Sequence, residues 1–295
     1  MEVKNDHKLK VGISVGIVIT LLIIPIVLYF IGDLGTAGGS YIPMKWVIIA
    51  FPKIGIPLFF SVYIFILYSK QDRHFFMDAK HLFAWQFLLL VIGKIFDLYF
   101  VYLGEGSMNN VSGPEFLPLL QIRWVVYVLN VLPVFAFFVH IYSQVWTLKL
   151  KEKSIFLDQN ATPDDVRDFK GKFEKIIDIS YLVISLIIVA LAPDYTFLRA
   201  FGMVLILPMV IMALVTFNDL RKHQRLPQLN STIMLFGYII YAISIFSRIF
   251  IADIEYTYIT EAIEAIAYYF MGISFVIRPK YGRIPRKEEV TMAVA

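Results

Sequence analysis

Lys94 and Asp97 stand three residues apart in a stretch that is otherwise almost wholly apolar, Phe83–Leu103 (FAWQFLLLVIGKIFDLYFVYL). A charge at the centre of a membrane helix costs about 2.5–3.5 kcal/mol on insertion scales. Opposite charges at this spacing share one helical face and partly neutralise each other. Such a helix needs a polar interior to face, and other helices must supply it. The candidates are the other ionisable groups set within apolar runs: Lys53, Arg123, Arg248, Glu261 and Glu264, with the neutral Asn130. Cations and anions are nearly balanced, which suits a zwitterionic or polar ligand better than a simple ion. Asp97 is the natural base or anchor, and Glu264 a possible second acid. Tyr268 and His140 are further polar support. His140 is the single histidine inside an apolar run, and one histidine with scattered acids does not make a zinc site. No metal and no cofactor is expected.

The elements that must hold these groups are helices. Windows of about 20 apolar residues fall near 11–32, 46–68, 82–103, 119–147, 175–192, 197–217, 231–252 and 260–277. The fold class is therefore all-α, a polytopic membrane protein with eight transmembrane helices. The fourth span is long enough to be tilted or to run on past the membrane. The fifth and sixth are separated only by a tight turn around Pro193. The first follows a charged N-tail, but its apolar run exceeds a typical signal-peptide core and reads as a retained helix. Pro52, Pro57, Pro133 and Pro208 fall within spans, where they can kink a helix and open space.

Lys and Arg set the orientation. They gather in the N-tail (Lys4, Lys8, Lys10), after the second span (Lys70, Arg73, Lys80), after the fourth (Lys149 to Lys172), after the sixth (Arg221, Lys222, Arg225) and in the C-tail (Arg278 to Lys287). The alternate connections hold few. This bias places both termini in the cytoplasm, in the plasma membrane. It also puts Lys53, Lys94, Asp97, Arg123, Asn130, Arg248, Glu261 and Glu264 at one level, in the outer half of the bundle. Lys53 lies roughly 10 Å below the outer boundary at 1.5 Å per residue. The chain divides into a first four-helix half (1–147), a basic, amphipathic cytoplasmic connection (148–174), a second half (175–278) and a basic tail (279–295).

The two halves overlay at an offset of roughly 150 residues. Pro57–His74 resembles Pro208–His223, and the third span's IGKIFDLYF matches the seventh span's ISIFSRIFI. Four helices per half is an even number, so the repeat is parallel, with its axis along the membrane normal. On this overlay Asp97 faces Arg248 across the centre of the bundle.

Composition narrows the function classes. Of 295 residues 59% are apolar and 17% charged, with 26 Phe, 17 Tyr and no Cys. Soluble domains run nearer 45–50% apolar. The absence of cysteine excludes disulfides, thiol catalysis and Cys-ligated metals. The net charge of +4 follows from the membrane-flanking clusters and points to anionic lipid at the cytoplasmic face, not to nucleic acid. No P-loop, GxSxG elbow, GxGxxG or HExxH is present. The seventh and eighth spans contain no lysine for a retinal, and no TVGYG-like filter occurs. The basic 148–174 segment could engage a cytoplasmic signalling partner.

The order of these features resembles the YhhN family, the lysoplasmalogenase-like membrane proteins. Lys53 with Pro57, the Asp97 of IGKIFDL, and Phe135-Ala-Phe-Phe-Val-His140-Ile-Tyr142 carry the resemblance. Two positions depart from it: Phe96 precedes Asp97 where the family has Gly, and Ser247 is followed by Arg248 where the family has Asp. The resemblance implies eight spans and hydrolysis of the vinyl-ether bond of lysoplasmalogens, with Asp97 central. From the residues alone the leading expectation is a binding module, a sensor or carrier for a membrane lipid or small polar ligand. A lipid ether hydrolase and a secondary transporter are the alternatives.

Overall fold

The computed structural model describes residues 44–71, 75–103, 113–152, 161–223, 226, 228–250, 257–277 and 279. The first expected span (11–32) and nearly all of the basic tail lie outside them. The described residues form seven α-helices and no strand: α1 (Met44–Ser69), α2 (Ala79–Leu103), α3 (Leu117–Glu152), α4 (Pro163–Ala190), α5 (Tyr195–Lys222), α6 (Ser231–Phe250) and α7 (Thr257–Ile273). A 3₁₀ turn, Pro114–Phe116, leads into α3. Four helical stretches among these residues, Ile48–Ser69, Ala79–Phe100, Pro114–Glu152 and Tyr195–Lys222, are long and apolar enough to cross a membrane.

Local chemistry sets the helix starts. Thr162 caps α4 in a reciprocal capping box with Asp165, and Pro163 follows at the first helical position, where its missing N–H is no loss. Asp194 accepts from the Phe197 amide at 2.7 Å and starts α5. Asn230 accepts from the amides of Thr232 and Ile233 at 3.2 and 3.3 Å and starts α6. Pro52, Pro57, Pro133 and Pro208 all lie inside continuous helices.

α3 has 36 residues, roughly 54 Å at 1.5 Å per residue, well beyond a hydrocarbon core of about 30 Å. The expected short amphipathic helix and the fifth span are one helix, α4. No proline interrupts the sequence between Pro163 and Ala190, and a single glycine, Gly171, is tolerated within a helix. The described part of the connection at 148–174 is therefore mostly the extended ends of α3 and α4.

Packing arranges the helices in a closed ring. α1 packs on α2, α2 on α3, α3 on α5, α5 on α6, α6 on α7, and α7 back on α1; α4 lies outside, against α3. All six ring helices send side chains into one aromatic core, among them Phe60, Phe83, Phe138, Phe217, Tyr238 and Tyr268. Helices in apolar surroundings gain little from hydrophobic burial against each other, so close approach and hydrogen bonds hold them. Ser61 donates to the Ala84 carbonyl at 2.9 Å between α1 and α2. Ser244 donates to the Thr260 carbonyl at 2.8 Å between α6 and α7. Thr216 donates to the Tyr142 hydroxyl at 3.0 Å between α5 and α3. The outer surface is the reverse of a soluble protein's. Ile179, Ile184 and Ile187 of α4 and Val204, Ile211 and Val215 of α5 are exposed, while Lys53 and Glu264 are buried.

Candidate functional site

One end of the ring is filled by charged side chains. Seven residues, about 10 Å of helix, separate Phe60 from Lys53 along α1 and Phe87 from Lys94 along α2. Lys53 leaves only 2% of its surface exposed. Its ammonium donates to Glu261 and to Glu264, one helical turn apart on α7. Glu264 also accepts from the Tyr268 hydroxyl, one turn further along. Lys94 Nζ lies 3.5 Å from Glu264 Oε1 and 3.3 Å from Asp97 Oδ2. Asp97 Oδ1 in turn accepts from Arg123 Nε at 2.5 Å. The chain of contacts is thus Glu261–Lys53–Glu264–Lys94–Asp97–Arg123, running from α7 through α1 and α2 to α3.

The alternation of sign is what makes the burial tolerable. An isolated ion in a low-dielectric interior is prohibitively costly, and pairing with further hydrogen bonds is the condition for keeping one there. Lys53, Lys94 and Arg123 match Asp97, Glu261 and Glu264 one for one, so the described network carries no net formal charge.

Beside the network is a cavity of about 70 Å³, several times the ~10–15 Å³ that one water needs. Lys94, Asp97, Arg123, Asn130, Glu264 and Tyr268 line it, together with Tyr127 of α3, Tyr241 and Ile245 of α6, and Ile206 of α5. Asn130 is fixed by donating to the Gln86 carbonyl at 2.7 Å. Arg123 is braced from behind by the Trp124 ring, whose centroid is 5.7 Å from the guanidinium carbon. Trp124 lies directly over Gly202 of α5, where a Cβ would collide with the ring.

Of the residues singled out from sequence, Lys53, Lys94, Asp97, Arg123, Asn130, Glu261, Glu264 and Tyr268 converge at this level. The expected partner of Asp97, Arg248, has its side chain outside the described residues. The partners observed for Asp97 are Arg123 and Lys94. His140 stands apart from them, 17 residues after Arg123 and about 25 Å along α3. Its Nδ1 lies 3.2 Å from Glu174 Oε1 of α4. Glu174 is buried, accepts from Ser143 and has Lys170 3.6 Å away. Sequence reasoning assigned Glu174 to a solvated connection. The signal that it continues a packed helix was the run from Pro163 into the apolar residues up to Ala190, which no further proline breaks. Tyr127 and Tyr241 were also missed; Tyr127 sits one turn beyond Arg123, as Tyr268 does beyond Glu264.

Among the described residues no three His, Cys, Asp or Glu side chains are grouped to hold a metal ion. No family model, curated protein or solved structure matches the chain.

Proposed function

We propose that the chain is a multi-pass membrane protein of eight spans with both termini cytoplasmic in the plasma membrane. Its outer-half cavity binds the polar part of a small or amphiphilic ligand, as a sensor or carrier. The observation that carries this reading is the cavity itself. Five of the six ring helices line it, and it is the polar end of a bundle whose other end is packed with phenylalanine. Charged groups inside membrane helices are costly enough to mark function by default. The balance of three cations against three anions favours a ligand with no net charge, a zwitterion or a neutral polar group. The ring order supports the two-half plan: α1, α2 and α3 stand across the ring from α5, α6 and α7, the equivalents four spans on.

The test is native mass spectrometry of the purified protein, followed by thermal unfolding with added ligand. Lysophosphatidylcholine, which is zwitterionic, is expected to raise the unfolding midpoint, and Arg123→Gln to abolish the rise. A midpoint indifferent to zwitterionic and neutral amphiphiles alike, with nothing co-purified, overturns the binding reading. Saturable flux in proteoliposomes separates carrier from sensor.

A lysoplasmalogenase-like hydrolase is the second reading, favoured by one observation: Lys94 brings the carboxylates of Asp97 and Glu264 to a single ammonium. Against it, both oxygens of Asp97 are taken by cations, which makes it an anchor more than a proton carrier. Release of aldehyde from lysoplasmalogen, lost in Asp97→Asn, would decide for hydrolysis.

A further inference from the structure

A second concavity lies on the outside of the ring, running from near the level of the charged cavity toward the opposite end. It is a groove of about 290 Å³. Phe236 and Ile239 of α6 and Phe270 of α7 form its walls, and Arg221 of α5 and Thr232 of α6 stand at one end. Phe236 and Phe270 meet edge to face with centroids 5.0 Å apart, which fixes the wall. Phe236 is 50% and Ile239 40% exposed. From Thr232 to Ile239 the groove follows about 10 Å of helix. One end is cationic and the rest is apolar, the polarity of a phospholipid read from headgroup to chain.

We propose that this groove is a binding site for an anionic phospholipid, with its phosphate on Arg221 and the upper part of an acyl chain along Phe236, Ile239 and Phe270. The inference rests on the membrane-spanning reading above but not on the cavity. Charge complementarity selects the occupant. Arg221 and Lys222 close α5 with two exposed cations. The nearby Asp219 carboxylate is 3.0 Å from His223 Nδ1. Arg221 Nη2 donates to Asn218 Oδ1 at 3.0 Å, which orients the guanidinium and leaves its other donors for an anion. The amides at the start of α6 are already capped by Asn230 and take no part. A zwitterionic lipid offers the same phosphate with its own cation attached, so the basic end prefers a lipid with net negative charge.

The full chain is reconstituted in nanodiscs containing equal phosphatidylglycerol and phosphatidylcholine, and bound lipid is read by native mass spectrometry. Wild type is expected to retain phosphatidylglycerol over phosphatidylcholine by about fivefold, the effect of one basic residue near a headgroup. Arg221→Ala brings the ratio close to one. Ile239→Trp, a change on an exposed wall that leaves the core intact, lowers retention of both lipids. A fivefold preference that survives Arg221→Ala, or full retention in Ile239→Trp, overturns the site. A chain that does not enter the nanodisc bilayer overturns the membrane reading and this site with it.

Discussion

Arg123 Nε donates to Asp97 Oδ1 at 2.5 Å, and that bond ties α3 to α2 at the level of the cavity. Both side chains keep 19% of their surface exposed, so the pair is not wholly enclosed. Removing one partner of a fully buried pair costs about 3–5 kcal/mol. Arg123→Gln is therefore expected to lose somewhat less than that. Asp97 retains Lys94 in Arg123→Gln, whereas Asp97→Asn leaves Arg123 without a counter-charge. Asp97→Asn should be the more damaging of the two, and the double variant should be close to the milder single. Thermal midpoints of all three in one detergent check this; fully additive losses would show that the two side chains do not act as a pair.

Gly237 and Gly171 should respond to alanine in opposite directions. A Cβ on Gly237 would lie 2.9 Å from the Met271 amide nitrogen and 3.2 Å from the Ala267 carbonyl oxygen. Those are backbone atoms of α7, so α6 and α7 must separate, and overpacking of this kind costs about 1–3 kcal/mol. A Cβ on Gly171 meets nothing within 4 Å, and there Ala is worth about 1 kcal/mol as the better helix former. Unfolding midpoints of the two variants should bracket wild type. Gly237→Ala above Gly171→Ala would mean that the close approach of α6 to α7 does not hold in solution.

The capping box of α4 gives a pH dependence. Hydrogen bonds from the Thr162 hydroxyl and amide hold the Asp165 carboxylate below its usual pKa. A carboxyl group whose folded pKa is depressed contributes stability above its unfolded value, about 3.9, and loses it as pH falls through the folded value. Protection of the Asp165 and Val166 amides against hydrogen exchange, corrected for intrinsic rates, should hold at pH 5 and fall below about pH 4. Thr162→Ala should remove that step and leave these amides poorly protected throughout. An identical pH profile in the variant would show that the box does not hold the helix start.

The long apolar helices and the meeting of four charged groups were legible in the sequence because both follow from one-dimensional patterns. Apolar windows mark the helices, and the places of Lys53, Lys94, Arg123 and Glu264 within those windows bring them to one level. Which cation meets which acid was not legible. That depends on the rotation of each helix about its axis, which packing sets. Overlaying the halves matches Asp97 with Arg248, whose side chain lies outside the described residues; the partner seen is Arg123, which α3 turns toward it. The sequence puts His140 at another height along the 36-residue α3, but not the carboxylate it meets there. Glu174 was hidden by its neighbours: Lys170, Lys172 and Lys175 give it the look of a solvated turn, and only the continuity of α4 brings it against Ser143 and His140.

Lys53 provides the sharpest test of the network. From sequence it could reach the membrane surface by extending its side chain, but the structure turns it inward, 2% exposed, onto two carboxylates. Lys53→Met keeps most of the length of the side chain and removes the ammonium, which strands Glu261 and Glu264 together. A buried charge left without its partner costs about 3–5 kcal/mol, and two carboxylates on adjacent turns also repel. Lys94 remains beside Glu264 and offsets part of that. Neutralising the acids as well, in Lys53→Met with Glu261→Gln and Glu264→Gln, removes the stranded charges and leaves groups that can bond to each other and to Tyr268. The triple variant is therefore expected to be more stable than Lys53→Met alone, although it carries three changes instead of one. Glu261→Gln alone should be the mildest, because Glu261 keeps 15% of its side chain exposed and Glu264 still holds the ammonium. Thermal unfolding of the three in the same detergent orders them. A triple variant less stable than Lys53→Met would show that shape, not charge pairing, is what these residues supply.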